Sequence, residues 1–205
     1  MALLTERFAF DRPIQDFLSN KRFLRLIVWK SLIPALCLSS ILLAQPLCGQ
    51  SKVPKEYQLK AAFLYNFAKF VQWPEKSFSD TTSPLVIGVF GQNPFGDELE
   101  KVVRGRKVNG HAIVVKQIQN VDAAHAVQLL FVPAADDSRL TELKNICQTE
   151  GILVVGESAS FIKRGGMVAF KVEGDNLRFE VNTSAAAGAE LKFSAQLLKL
   201  ASNIR

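Results

Sequence analysis

The residues of this chain whose types could do chemistry are few and widely spread. His111 and His125 stand fourteen positions apart, neither has a ligand-type partner four residues on, and such spacing holds no metal ion. Both are read as structural or solvated. Asp136 and Asp137 form a carboxylate pair in sequence, but they come just before RLTEL, where capping a helix is the simpler role. Ser158 and Ser160 lie in GESAS, which lacks the G-x-S-x-G elbow of a nucleophilic serine. Gly88, Gly91 and Gly96 in VIGVFGQNPFGDE fit neither dinucleotide nor phosphate-loop spacing, and Asp97 occupies the place where a lysine would be needed. They serve a tight turn from strand to helix. Ligands of doubly wound sheets nevertheless bind at the carboxyl ends of strands, so Gly91, Asn93 and Phe95 are candidate small-ligand residues. No acid, base, nucleophile or metal set converges, no cofactor is implied, and the chain is not read as an enzyme.

Charge narrows the classes further. The 205 residues carry a formal +6, of which residues 1–50 contribute six Lys/Arg against three Asp/Glu, leaving nineteen against sixteen for residues 51–205. That remainder is too small and scattered for a nucleic-acid surface. Arg104, Arg106 and Lys107 are the one basic cluster, with no aromatic residue interleaved, and are read as a solvated turn. Lys21, Arg22, Arg25 and Lys30 precede a charge-free apolar run from Ser31 to Ser51, the order of a secretory signal. Residues 1–50 are thus a signal sequence or an N-terminal membrane segment, with processing near Gly49 to Ser51 if it is cleaved. Leu47 and Pro46 argue against lipid attachment at Cys48. Cys37 and Cys48 belong to this leader, so a mature chain keeps only Cys147, on the apolar stripe of a helix with Leu140 and Leu143.

The elements that must position these residues follow from periodicity. Glu56 opens a helix in which Leu59, Phe63, Phe67 and Phe70 form one stripe, and Pro74 ends it with Trp73 already turned out. Lys60 and Lys69 bracket only eight residues, which rules out a membrane span. PLVIGVFG, HAIVVKQI, AVQLLFVP and GILVVGES read as buried strands, with a helix from Asn93 and Pro94, a helical turn at VDAAH, and an amphipathic helix over DDSRLTELKNICQTE capped by Asp or Ser. GMVAFKVEGDNLRFEVN is a β-hairpin, and SAAAGAELKFSAQLLKLASNIR a closing helix with Phe193, Leu197, Leu200 and Ile204 on one face and Asn182 to Ser184 as its cap. The expectation is one α/β domain over residues 55–205: a mostly parallel sheet with helices on both faces, then a C-terminal hairpin and helix.

AAFLYNFAKFVQWPE puts five aromatic rings in one short stretch. Phe63, Phe67 and Phe70 are expected in the core, each ring worth about 2 kcal/mol on burial. Tyr65, Trp73 and Pro74 fall off the stripe and are candidates for partner contact, because Tyr and Trp are favoured interface anchors. The alternative for Trp73 is a plug at the end of the sheet. Asn66 among the rings is read as satisfying a backbone group.

YQLKAAFLYNFAKFVQWPE, PLVIGVFGQNPFGDEL, GMVAFKVEGDNLRFEVNTSAA and LKFSAQLLKLA, in that order over about residues 56–201, resemble the YfiR family of bacterial periplasmic regulators. The resemblance implies an α/β sandwich that tends to dimerise. It also implies a non-enzymatic repressor that binds the periplasmic domain of an inner-membrane diguanylate cyclase, holding down cyclic-di-GMP synthesis and biofilm formation. The export signal agrees with that compartment. Relatives in that family carry paired cysteines tied to their control, whereas one thiol permits no internal disulfide here; a bridge between chains would require Cys147 to be exposed.

Overall fold

The computed structural model describes residues 53–205; the leader and its processing site lie outside the described residues. Helix α1, Lys55–Phe70, has no glycine or proline to interrupt it and gives way to extended backbone at Val71. Its buried residues are Lys60, Ala61, Leu64, Phe67 and Ala68. The stripe centred on Leu59, Phe63, Phe67 and Phe70 is therefore displaced: Phe67 is fully buried, Phe63 and Phe70 are half-buried, and Leu59 is 45% exposed. Small side chains at Ala61 and Ala68 let the helix axis approach the sheet, which leaves the larger rings of Phe63 and Phe70 at the rim.

Strand β1 is Val71–Gln72, β2 Leu85–Phe90, β3 Lys107–Val108, β4 His111–Ile118, β5 Leu129–Val132 and β6 Leu153–Gly156. The hairpin strands are β7, Val168–Glu173, and β8, Asn176–Val181; β9 is Lys192–Phe193 and β10 Asn203–Ile204. Eight of them form one sheet in the order β10-β8-β7-β6-β5-β2-β4-β3, parallel from β4 through β7. Every residue of β2, β5 and β6 is buried, as a sheet covered on both faces requires. Helix α2, Glu98–Val103, links β2 to β4 on one side, and α3, Leu140–Glu150, links β5 to β6 on the other. Right-handed crossovers running in opposite directions put those helices on opposite faces, and α1 packs beside α2.

Three expectations about helices change. Asn93 caps no helix; its Oδ1 accepts from Phe95 N at 2.9 Å and closes a turn, so α2 starts at Glu98. A 3₁₀ turn, Ala134–Arg139, precedes α3, and no side chain caps either, because Asp136, Asp137 and Ser138 fall inside that turn and leave Pro133 and Arg139 at the cap positions; Asp137 pairs with Arg164 instead. The closing helix divides into α4, Thr183–Gly188, and α5, Ala195–Leu200. Between them Glu190 takes a positive φ of 61°, which a right-handed helix cannot run through, and Lys192 and Phe193 pair antiparallel with Gln72 and Val71. Leu197 alone of the expected stripe is buried; Leu200 and Ile204 are 61% and 49% exposed. Asn182 does cap, accepting from Ala185 N at 2.9 Å.

Candidate functional site

Strands are added on one side of β2 and then on the other, so the strand order reverses between the parallel neighbours β2 and β5, and Gly91 and Pro133 flank that switch point at the carboxyl ends of the strands. Gly91 has φ +63°, and a Cβ there would run into the Asp136 carboxylate. Its carbonyl accepts from Gln117 Nε2 at 2.7 Å and its N–H donates to Ile118 O at 2.9 Å. Asn93 spends its amide within its own turn, with Nδ2 donating to Gly96 O at 2.9 Å. Phe95 is fully buried, edge-on to Tyr57 at 5.5 Å and to Phe131 at 4.9 Å. Of the three candidate ligand residues, then, two are engaged in turn contacts and the third is core.

The first turns of α1 reach over the same strand ends with charge. Lys60 is 3% exposed; its ammonium donates to Glu157 at 2.5 Å, pairs with Glu56, and sits 4.5 Å over the Tyr57 ring. Glu157 also accepts from Tyr57 Oη at 3.1 Å and from Ala134 N at 2.9 Å, tying α1, β6 and the segment after β5 together. Burial, reinforced by the Glu157 charge, pushes the Tyr57 phenol up to about 12. Sequence periodicity missed this cluster; the Glu56 and Lys60 spacing of four was its one visible signal.

An open cleft of about 390 Å³ lies at the opposite, amino-terminal ends of β2 and β5. Lys76, Ser83, Lys116, His125, Gln128 and Glu150 are among its lining residues. His125 Nδ1 meets Glu150 at 3.0 Å, and Gln128 bridges Val86 N and Ser77 O. His111 contacts Ser83 O through Nδ1 at 2.6 Å and stacks on Phe78 at 4.0 Å. Cys147 is fully buried and burial pushes its thiol up to about 12, which removes the exposure that a bridge between chains requires. No group of three or more metal-ligating side chains gathers among the described residues.

The partner-contact candidates lie farther down α1 and just beyond its end. Trp73 is half-buried against the core and its indole N–H donates to Ala68 O at 3.2 Å. Pro74 is half-buried where a Cβ on Gly151 would meet its ring. Tyr65 is half-buried on α1 with the Arg106 guanidinium 4.5 Å over its ring. No helix of the described residues is long and apolar enough to cross a membrane.

No curated protein matches the chain in sequence. Among solved structures it is similar to a conserved domain protein from Vibrio cholerae O1 biovar El Tor, at 12% identity and TM-score 0.46 over 58% of this chain and 54% of that one. It is also similar to the ABC domain in complex with L-Trp from Streptococcus pneumoniae, at 10% identity and TM-score 0.45 over 73% and 60%. The chain thus spans a little over half the length of each, and likeness this remote carries no argument. The YfiR/HmsC-like family matches residues 57–202, almost all of the described α/β domain, and the chain belongs to that family of periplasmic regulatory proteins.

Proposed function

We propose that this protein works as a repressor by binding the periplasmic domain of a membrane-bound diguanylate cyclase, which keeps cyclic-di-GMP synthesis and biofilm formation low. The family match across residues 57–202 carries this reading. A surface-presenting role also suits the half-buried Tyr65, Trp73 and Pro74 as contact residues. The export signal in residues 1–50 supports the compartment. The protein is further proposed to act as a homodimer, with no nucleic acid and no membrane contact beyond the leader. Deleting the gene is expected to raise intracellular cyclic-di-GMP and surface attachment, both reversed by supplying the gene in trans. Unchanged cyclic-di-GMP in a strain that normally expresses the protein sinks the reading.

A second reading, a periplasmic sensor of a small ligand, is favoured by the cleft lined by Lys76, Lys116, His125 and Glu150. A ligand at a hundred times its Kd adds about 2.7 kcal/mol of stability. Thermal-shift titration with amino acids and nucleotides reads that out, and a flat response across both sets disposes of this alternative.

A further inference from the structure

Three cation–aromatic pairs run along α1, and they differ in how their charge is met. Lys60 over Tyr57 is buried and closed by Glu157 and Glu56. Arg106 lies 4.5 Å over the Tyr65 ring, and Lys69 Nζ lies 5.2 Å from the Phe70 ring centroid. Neither of these last two cations forms an ion pair among the described residues, nor do Arg104, just after α2, and Lys107, which opens β3. Some exposed cations elsewhere are neutralised, Lys76 by Glu190, Lys101 by Asp97 and Glu98, Arg139 by Glu142, Lys171 by Glu173; others, Lys116, Lys163, Arg178 and Lys192 among them, are also unpaired, but none of these lies over an aromatic ring among the described residues. Glu56, already engaged, is the only acid on α1, and Glu100 on α2 forms no ion pair with Arg104 four residues on. Tyr65 and Lys69 are one turn apart, so the two pairs are neighbours along one side of the helix, each with a half-buried ring under an exposed cation.

We propose that this basic aromatic face, Tyr65 with Arg106 and Lys69 with Phe70, flanked by Arg104 and Lys107, docks an acidic surface of the protein partner. This inference rests on the repressor reading above and names the chemistry of its contact. A guanidinium stacked on a ring keeps its donors directed outward in one plane, which matches carboxylates pairwise and lowers the entropy lost on docking. Tyr and Arg are also the residues that most often dominate interface energetics. A bilayer would need apolar side chains to insert. The large exposed hydrophobics are Leu59, Val114, Val172, Leu200 and Ile204, none of which belongs to this face. None of its six residues lines the cleft between Lys76 and Glu150.

The test uses the protein expressed from its full-length gene and purified from the periplasm. It is titrated against each detergent-solubilised, membrane-anchored diguanylate cyclase of the source strain. Wild type is expected to bind one of them, at least tenfold more weakly at high salt than at low salt. Arg106→Glu and Tyr65→Ala are expected to weaken binding at least tenfold at low salt. Lys163→Glu, the same charge change at an exposed unpaired position off the face, is expected to change it less than twofold. Equal melting temperatures of Arg106→Glu and wild type establish that folding is intact. Wild type binding no cyclase fells the repressor reading and this inference with it. Binding that survives Arg106→Glu leaves the repressor reading standing and overturns the docking face. Sedimentation of wild type with phosphatidylglycerol vesicles, lost in Arg106→Glu while cyclase binding persists, reassigns the face to lipid.

Discussion

Lys60 shows how one residue can hold several elements in place. Its ammonium is desolvated beside Glu157, and the second Glu157 oxygen takes Tyr57 and the Ala134 amide. A buried pair of this kind contributes little net stability against an apolar replacement, but removing one partner strands the other, at a cost of about 3–5 kcal/mol. Lys60→Ala is therefore expected to lower the urea-unfolding free energy by about that amount, with Lys60→Met/Glu157→Leu losing less. Tyr57 adds a pH signature. The folded state holds its proton to about 12 against an ordinary 10.0, chiefly because burial disfavours the phenolate. Between those values the unfolded chain has released a proton that the native chain keeps, so stability is full below pH 10 and falls as pH rises through the window. Tyr57→Phe is expected to remove that alkaline fall, read as unfolding midpoints from pH 9 to about pH 12. A tyrosine mutant with an unchanged alkaline slope refutes the assignment.

At the scale of elements, α1 separates pattern from packing. The apolar positions 59, 63, 67 and 70 made a stripe, yet the helix seats itself one position over, on Lys60, Leu64, Phe67 and the two alanines. Phe67 touches both Phe170 and Phe179, with ring centroids at 5.6 and 5.0 Å. Phe67→Ala is expected to cost about 3–5 kcal/mol, and Leu59→Ala, at an exposed site, less than about 0.5. Equal costs in denaturant titrations would restore the original stripe. The strands were legible because continuous apolar runs bounded by Gly and Pro leave little else: HAIVVKQI matches β4 residue for residue, and LLFV is β5. The division of the last helix was not legible. It comes with the pairing of Val71 with Phe193, residues 122 positions apart.

Across the whole molecule, the buried side chains of α1, the sheet and the later helices join into one core. Residues 52–205 are accordingly expected to unfold in a single urea transition, seen at the same midpoint by circular dichroism and by Trp73 fluorescence. Two separated midpoints would divide the core. Composition, alternation of apolar strands with helices, and the hairpin turn at Glu173 to Asn176 were enough to establish the α/β class, since hydrophobic period is a local property of the chain. The family motifs were legible in the same way. Which ring meets which cation was not: Arg104, Arg106 and Lys107 read as a solvated turn without aromatic company, and Tyr65 comes to them from about forty residues away only when α1 packs against α2. Contacts of that length depend on the closing of the core, because their energy comes from neighbours that the linear order keeps apart.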